Sequence, residues 1–336
     1  MKTDNTLIIA EAGVNHNGVI KIALDLVDAA FNAGANVVKF QTFNSNDLAS
    51  HFAAKANYQQ KNTGSNETQL EMLCKLELSH EMHLKIIDRC KEKGISFAST
   101  GFDQKSIDLL VELGVDFLKI PSGEITNLPY LRYVGSKNLP IILSTGMSTM
   151  QEVKDAMDIL YSAGSLKSNI TVLHCNTEYP SQMDDINLRA MLTMKNELGV
   201  KIGYSDHTLG IEVPIAAVAM GATVIEKHFT LDRNMSGPDH IASLEPHELK
   251  QMVTAIRNTE KAMGYPEKKP SPSEVKNIAI ARRSIVAKKP IFKGQIFSEL
   301  NLAVKRPGIG VSPMLWDRIL GTQANRDYNT DELIQF

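Results

Sequence analysis

A chain of 336 residues is too long for one small domain and suits a large α/β barrel followed by a small extra module. With 43% hydrophobic and 22% charged residues the composition is that of a globular protein in water, and a formal net charge of −2 speaks against nucleic-acid binding by bulk electrostatics. No apolar run approaches the roughly 18 residues that cross a bilayer, Met1 to Asn5 lacks the pattern of a secretory leader, and Cys74, Cys90 and Cys175 have no close pairing, so the expectation is a cytoplasmic protein with free thiols and with neither a membrane nor a nucleic-acid partner.

The first predicted element is a buried strand, Thr6 to Ala10, with Glu11 to Gly18 as the loop after it. A helix follows, with Ala23, Leu24, Val27, Ala30 and Phe31 at helical spacing and Gly34 at its C-cap. Val37 to Thr42 is the second strand. The stretch from Phe43 to about Thr68 is polar and irregular, and a loop that long is usually functional or mobile. Helix returns from Glu81 to Lys93. Further strands are expected at Ile95 to Thr100, Phe117 to Ser122, Pro140 to Gly146, Ile170 to Cys175, Lys201 to Asp206 and Ala222 to Thr230. Eight apolar strands alternating with helices, without a hairpin signal, indicate a (β/α)8 TIM barrel over residues 1–263; a doubly wound open sheet is the alternative.

Residues 264–274 carry three prolines and two serines, which leaves little room for helix or strand, and read as a linker. A small β-rich module over 275–336 follows, with strand-like runs at Arg283 to Ala287, Ile291-Phe292 and Leu302 to Val304 and a short C-terminal helix. From Val275 onward ten Lys and Arg stand against five Asp and Glu, a surplus of +5, which leaves −7 on the rest of a chain whose total is −2. A basic lobe on an acidic barrel suits a mouth that takes an anion, although a small domain with surface lysines explains the same numbers.

A barrel carries its active site at the C-terminal ends of its strands. Here those ends are polar one after another: Glu11, Lys39 with Gln41, Ser99 with Thr100, Lys119 with Ser122, Ser144 with Thr145, Asn176 to Tyr179, Ser205 to His207 and Glu226 to His228. Strand ends meet solvent, so polarity alone says little. A lysine embedded in an apolar run is different, because an ammonium beside a buried sheet is costly unless it is paired or meets an anion. Lys39 and Lys119 with the neighbouring hydroxyls describe a pocket for phosphate and carboxylate. His207 and His228, at the tips of consecutive strands, describe a divalent-metal site. His174 and Cys175 are candidates to extend it, with Cys175 read as a core thiol and His16 as a loop-fixing residue.

The motifs Ala10-Glu11-Ala12-Gly13-Val14-Asn15-His16-Asn17-Gly18, Val38-Lys39-Phe40-Gln41-Thr42, Leu118-Lys119-Ile120-Pro121-Ser122-Gly123-Glu124, Leu143-Ser144-Thr145-Gly146-Met147 and His174-Cys175-Asn176-Thr177-Glu178-Tyr179-Pro180 occur in that order. Gly203-Tyr204-Ser205-Asp206-His207-Thr208, Glu226-Lys227-His228-Phe229-Thr230, Gly237-Pro238-Asp239 and Val304-Lys305-Arg306-Pro307-Gly308 continue the series. Nearly end to end, the chain resembles the sialic acid synthase family, the bacterial N-acetylneuraminate and N,N'-diacetyllegionaminate synthases.

The resemblance implies a (β/α)8 barrel followed by an antifreeze-like (SAF) domain. It implies condensation of phosphoenolpyruvate with an N-acetylated hexosamine aldehyde, with N-acetylmannosamine the first expectation and 2,4-diacetamido-2,4,6-trideoxymannose the alternative. Carried over by motif, Lys39, Thr100, Lys119, Ser122, Ser144, Thr177, Tyr179 and Ser205 hold phosphoenolpyruvate; Asn176 or Thr177 faces it. His207 and His228 hold Mn²⁺ or Mg²⁺ and, with Glu11, form the catalytic set. Glu11, Gln41, Tyr179 and Asp239 hold the sugar, joined by Arg306 from the partner subunit of a domain-swapped homodimer. Two rival readings are a Schiff-base aldolase built on Lys39 or Lys119, and a catalytically dead sugar-binding barrel.

Overall fold

The computed structural model describes residues 5–64 and 67–336. Met1 to Asp4 of the N-terminal reading, and residues 65–66 of the long stretch, lie outside them. The chain forms two compact units, Met1–Gly264 and Tyr265–Phe336.

The first unit is a closed barrel of eight parallel strands in sequence order: β1 (Leu7–Gly13), β2 (Val37–Thr42), β3 (Ser96–Gly101), β4 (Leu118–Ile120), β5 (Ile141–Ser144), β6 (Ile170–Cys175), β7 (Lys201–Asp206) and β8 (Val224–His228). Pairing of β8 with β1 closes it, with Glu11 opposite His228. Around it run α1 (Ile20–Ala33), α2 (Ser45–Leu48), α3 (Asn57–Thr63), α4 (Gln69–Cys74), α5 (His80–Lys93), α6 (Gln104–Glu112), α7 (Leu128–Gly135), α8 (Met150–Ser162), α9 (Arg189–Leu198), α10 (Glu212–Ala219) and α11 (Pro246–Met263). Local signals set the helix ends. Ser79 accepts a hydrogen bond from Met82 N at the start of α5, and Gly94 ends it with φ +76°. At α8 Thr149 Oγ1 accepts from Glu152 N, and the Glu152 carboxylate accepts in return from Thr149 N.

The strands place two kinds of residue with one period. Ile9, Val37, Ala98, Phe117, Ile142, Leu173 and Val224 form a single buried apolar cluster inside the barrel. Two positions later along the same strands stand Glu11, Lys39, Thr100, Lys119, Ser144, Cys175 and Glu226, all lining one cavity. Gly203 and Ser205 follow the same order on β7. Successive side chains of a strand point to opposite faces, so i and i+2 share the barrel interior. The apolar layer closes the bottom and the polar one opens at the C-terminal ends. The residues between them, such as Ala10, Val38, Leu143 and Ile225, pack outward against the helices.

Several local expectations are corrected. Glu11 is not in a loop: β1 continues to Gly13, with an irregularity in pairing to β2 between Glu11 and Gly13. Phe43 to Thr68 is not wholly irregular, since α2 and α3 interrupt it; Asn44 caps α2 by accepting from Asn46 N. β4 is confined to three residues because Pro121 has no N–H to continue the ladder, and a single turn of 3₁₀ helix, Ser122–Glu124, follows.

In the second unit α12 (Pro272–Ala281) begins inside the stretch expected to be structureless. Proline is well suited to the first helical position, and the Glu274 carboxylate accepts from Ser271 N at 2.8 Å, so the residues that looked like breakers start a helix. β9 (Ser284–Ala287) and β10 (Leu302–Lys305) pair antiparallel. Ile291 makes only an isolated bridge to Tyr328, Phe292 is exposed, and the last helix, α13 (Trp316–Ile319), is a short turn well before the chain's end. Ile285, Ile291, Phe297, Leu302, Ile319, Tyr328 and Ile334 form this unit's own core.

Candidate active site

The polar strand ends converge on a cavity of about 380 Å³. Every barrel residue assigned above to substrate or metal lines it: Glu11, Lys39, Gln41, Thr100, Lys119, Ser122, Ser144, Thr177, Tyr179, Ser205, His207, His228 and Asp239. Arg306 belongs to the second unit, where its Nε donates to Ala281 O at 3.1 Å. Thr177 faces the cavity; the Asn176 side chain instead accepts from Glu178 N and Ser181 Oγ.

The floor is ionic and almost solvent-free. Lys39 Nζ stands 2.7 Å from Glu11 Oε2, in a poorly aligned approach that leaves that oxygen without a hydrogen bond, and donates to Thr100 Oγ1 at 2.9 Å. Lys119 Nζ donates to Ser144 Oγ at 2.7 Å and to Ile120 O at 3.1 Å. Between the two lysines lies Glu226, 3.7 Å from Lys39 and 4.0 Å from Lys119, accepting from Ser205 Oγ at 3.2 Å. Burial pulls both ammonium groups down. For Lys39 the carboxylates of Glu11 and Glu226 outweigh it and hold the group above its ordinary range, whereas Lys119 is held below, Lys39 adding to the effect. Burial raises Glu226, but Lys119 and Lys39 overcome that and keep it ionised. Burial pushes Glu11 up to about 7 against the pull of Lys39, with Glu226 adding to the push. Asp239 is likewise pushed up to about 7 by burial. Two ammonium groups and the six hydroxyls assigned above thus converge with carboxyl groups poised near neutrality, an arrangement that can bind an anion and move a proton.

His207 and His228 rise from the next layer, ring centres 5.4 Å apart. His207 Nδ1 donates to Asn176 O at 2.5 Å, which fixes the tautomer and leaves Nε2 as an acceptor. Burial holds His207 down at about 4 and His228 well below its ordinary value, where His207 adds to the effect, so both rings are neutral. His228 Nδ1 is buried without a hydrogen-bond partner. Two neutral imidazoles, one with an orphaned nitrogen, fit the donor set of a divalent ion. Among the described residues no group of three or more His, Cys, Asp and Glu forms a closed cage. Tyr179 packs on both rings, with centroids 4.0 Å and 5.5 Å away, and Tyr58 stacks on Tyr179 at 5.0 Å. Gly13, at φ +53°, leaves room for this group: a Cβ there would meet Gln41 Nε2, His228 Cε1 and Glu11 Oε1 at 3.3–3.4 Å.

His174 stays out of the metal set, its Nε2 hydrogen-bonded to Ile186 O and its ring against Tyr204. His16 fixes its loop by accepting from Gly18 N at 3.0 Å. Cys175 is buried, yet it reaches the cavity 3.3 Å from Ser122 Oγ, so it is more than a core thiol. Sequence reasoning placed Glu226 at a strand end without giving it a role; the i, i+2 spacing with Val224 and His228 was the available signal. Tyr58 and Gln59 of α3 also line the cavity, and nothing local in the sequence marks them.

Fold and site together define a (β/α)8-barrel enzyme with a lysine-floored pocket at the strand C-termini. The chain belongs to the NeuB family, whose model matches residues 26–268, and a SAF domain follows at 282–336. It is 54% identical to an N,N'-diacetyllegionaminic acid synthase of Campylobacter jejuni, over 98% of this chain and 99% of that one. A protein of the same description from Legionella pneumophila is 50% identical over 94% of this chain and 89% of that one. Among solved structures, an N-acetylneuraminic acid synthetase from Leptospira borgpetersenii in complex with citrate superposes with a TM-score of 0.71 at 36% identity, covering 82% of this chain and 90% of that one.

Proposed function

We propose that this enzyme condenses phosphoenolpyruvate with the open-chain aldehyde of 2,4-diacetamido-2,4,6-trideoxymannose and water, giving N,N'-diacetyllegionaminic acid and phosphate. What carries the reading is the paired-lysine floor in a chain half identical, nearly end to end, to two N,N'-diacetyllegionaminic acid synthases. The same identities favour this sugar over N-acetylmannosamine, since the N-acetylneuraminic acid synthetase is the more distant relative.

In this reading Lys39 and Lys119 bind the phosphate and carboxylate of phosphoenolpyruvate, helped by the hydroxyls of Thr100, Ser122, Ser144, Thr177, Tyr179 and Ser205. Glu226 offsets part of the lysine charge and orients Ser205. Gln41, Tyr179 and Asp239 orient the sugar so that its aldehyde carbon faces the enol carbon. That carbon attacks, positive charge develops at the phosphate-bearing carbon, water adds there, and phosphate leaves by C–O cleavage. Glu11, close to half-protonated at neutral pH, gives and takes the proton. His207 and His228 would hold Mn²⁺ or Mg²⁺, which when bound polarises the aldehyde as a Lewis acid. Arg306 reaches the sugar from a partner subunit in a domain-swapped homodimer.

The test mixes enzyme, phosphoenolpyruvate and the sugar with metal in ¹⁸O-labelled water. Phosphate and keto acid should form in equal amounts, with the label in the keto acid. Label in the phosphate, or no phosphate, overturns the reading.

A further inference from the structure

The cavity has a polar floor, but one of its sides is apolar. Val14 after β1, Leu48 of α2, Met72 and Leu73 of α4, Leu76 just beyond it, and Phe102 after β3 all line it. Together with buried Phe43, which does not line the cavity, they form a small cluster in which Val14, Met72 and Leu76 are buried while Leu48, Leu73 and Phe102 keep part of their surface free. The chain segments that carry them leave β1, β2 and β3, the strands that bring Glu11, Gln41 and Thr100 to the floor. None of the six has a side-chain donor or acceptor of nitrogen or oxygen. Two glutamines also line the cavity: Gln59, whose side chain already accepts from Ala56 N at 3.0 Å, and Gln69, one turn before Leu73 on α4 and at the edge of the wall.

Resting on the condensation proposed above, we infer that this wall receives the deoxygenated end of the sugar and makes the enzyme select a 6-deoxy amino sugar over its 6-hydroxy counterpart. An acetamido group brings an N–H and a C=O that the six side chains cannot satisfy, so the wall suits the one terminus of the sugar without a polar atom. A methyl group set there removes apolar surface from water on both sides. A hydroxymethyl in the same place gives up its water without replacement. Selection between two such groups by packing amounts to about ten- to a hundredfold in kcat/KM. The long stretch from Phe43 to Thr68 supplies only Leu48 of this wall; the wall's centre is α4, beyond it.

The experiment compares 2,4-diacetamido-2,4,6-trideoxymannose with 2,4-diacetamido-2,4-dideoxymannose, which differ by one oxygen, at saturating phosphoenolpyruvate. Wild type should favour the 6-deoxy sugar at least about tenfold. Leu73→Asn and Leu48→Asn, at partly exposed positions, should each shrink that ratio several-fold, chiefly through KM of the 6-deoxy sugar, while KM for phosphoenolpyruvate stays unchanged. A wild-type ratio near one, or a ratio that survives both substitutions, overturns the inference and leaves the condensation standing. Absence of phosphate from both sugars overturns the condensation itself, and the inference with it.

Discussion

Lys227 Nζ lies 2.5 Å from Asp206 Oδ2, and neither side chain reaches solvent. The pair joins the tips of β7 and β8 from outside the cavity: Ser205, His207, Glu226 and His228 point inward, and the residues between them point the other way. Lys227 also donates to Thr208 O at 2.5 Å, and Asp206 accepts from Thr208 N and Oγ1, so the turn that carries His207 is tied at three points.

Breaking that pair from one side should be severe. Lys227→Met leaves a carboxylate buried without its counter-charge and should lower unfolding free energy by about 3–5 kcal/mol. Removing both charges, with Lys227→Met and Asp206→Asn together, should restore much of the loss. Urea unfolding of the three proteins checks this, and a double variant no better than the single one would contradict it.

His207→Ala should abolish tight Mn²⁺ binding and metal-dependent turnover while the thermal unfolding midpoint stays close to wild type. One imidazole does not hold the ion in place of two. Titration of Mn²⁺ followed by the EPR signal of the free ion reads binding without relying on activity.

Lys39→Met and Lys119→Met should each weaken phosphoenolpyruvate binding by about 1.5–3 kcal/mol, the range for a hydrogen bond to a charged group, or roughly ten- to a hundredfold. Calorimetry on the metal-loaded enzyme measures it. Unchanged affinity in both variants would remove the anion pocket.

Asp239 is raised from an ordinary 3.8 to about 7 by burial alone. Between those values the folded chain keeps a proton that the unfolded chain has released, so the contribution of this group to stability falls as pH rises from about 4 to about 7 and levels off above. Glu11, also raised to about 7, acts in the same direction. One such group contributes at most about 1.4 kcal/mol per pH unit. Buried neutral histidines such as His207 act in the opposite direction in any variant, so the test is the difference from wild type. Asp239→Asn should gain in urea midpoint relative to wild type between pH 5 and 7 in metal-free protein, and a difference that does not change with pH would count against the burial of Asp239.

Chains carrying Arg306→Ala and chains carrying His207→Ala should complement each other when mixed. If each SAF unit serves its partner's barrel, one site of a mixed dimer carries both defects and the other carries neither. Activity should then approach half that of wild type within mixed dimers. No recovery despite confirmed subunit exchange would rule out the swapped arrangement.

What the amino-acid order determined by itself was the barrel and its strand ends. Apolar runs of strand length alternating with helical periodicity leave few topologies, and the two-residue period carries a polar residue two places after each core residue, as with Val37 and Lys39 or Val224 and Glu226. Motifs along β1 to β8 were legible for the same reason: strands bring their tips to one rim whatever the helices do. The tertiary structure alone decided that Glu226 stands between Lys39 and Lys119, that Glu11 is a strand residue with its carboxyl near neutrality, and that Leu73 and Phe102 share a wall with Val14. Those facts depend on distances between residues far apart in the chain and on how completely water is excluded. Neither quantity is carried by local spacing, because desolvation is a property of the closed barrel and not of any one strand.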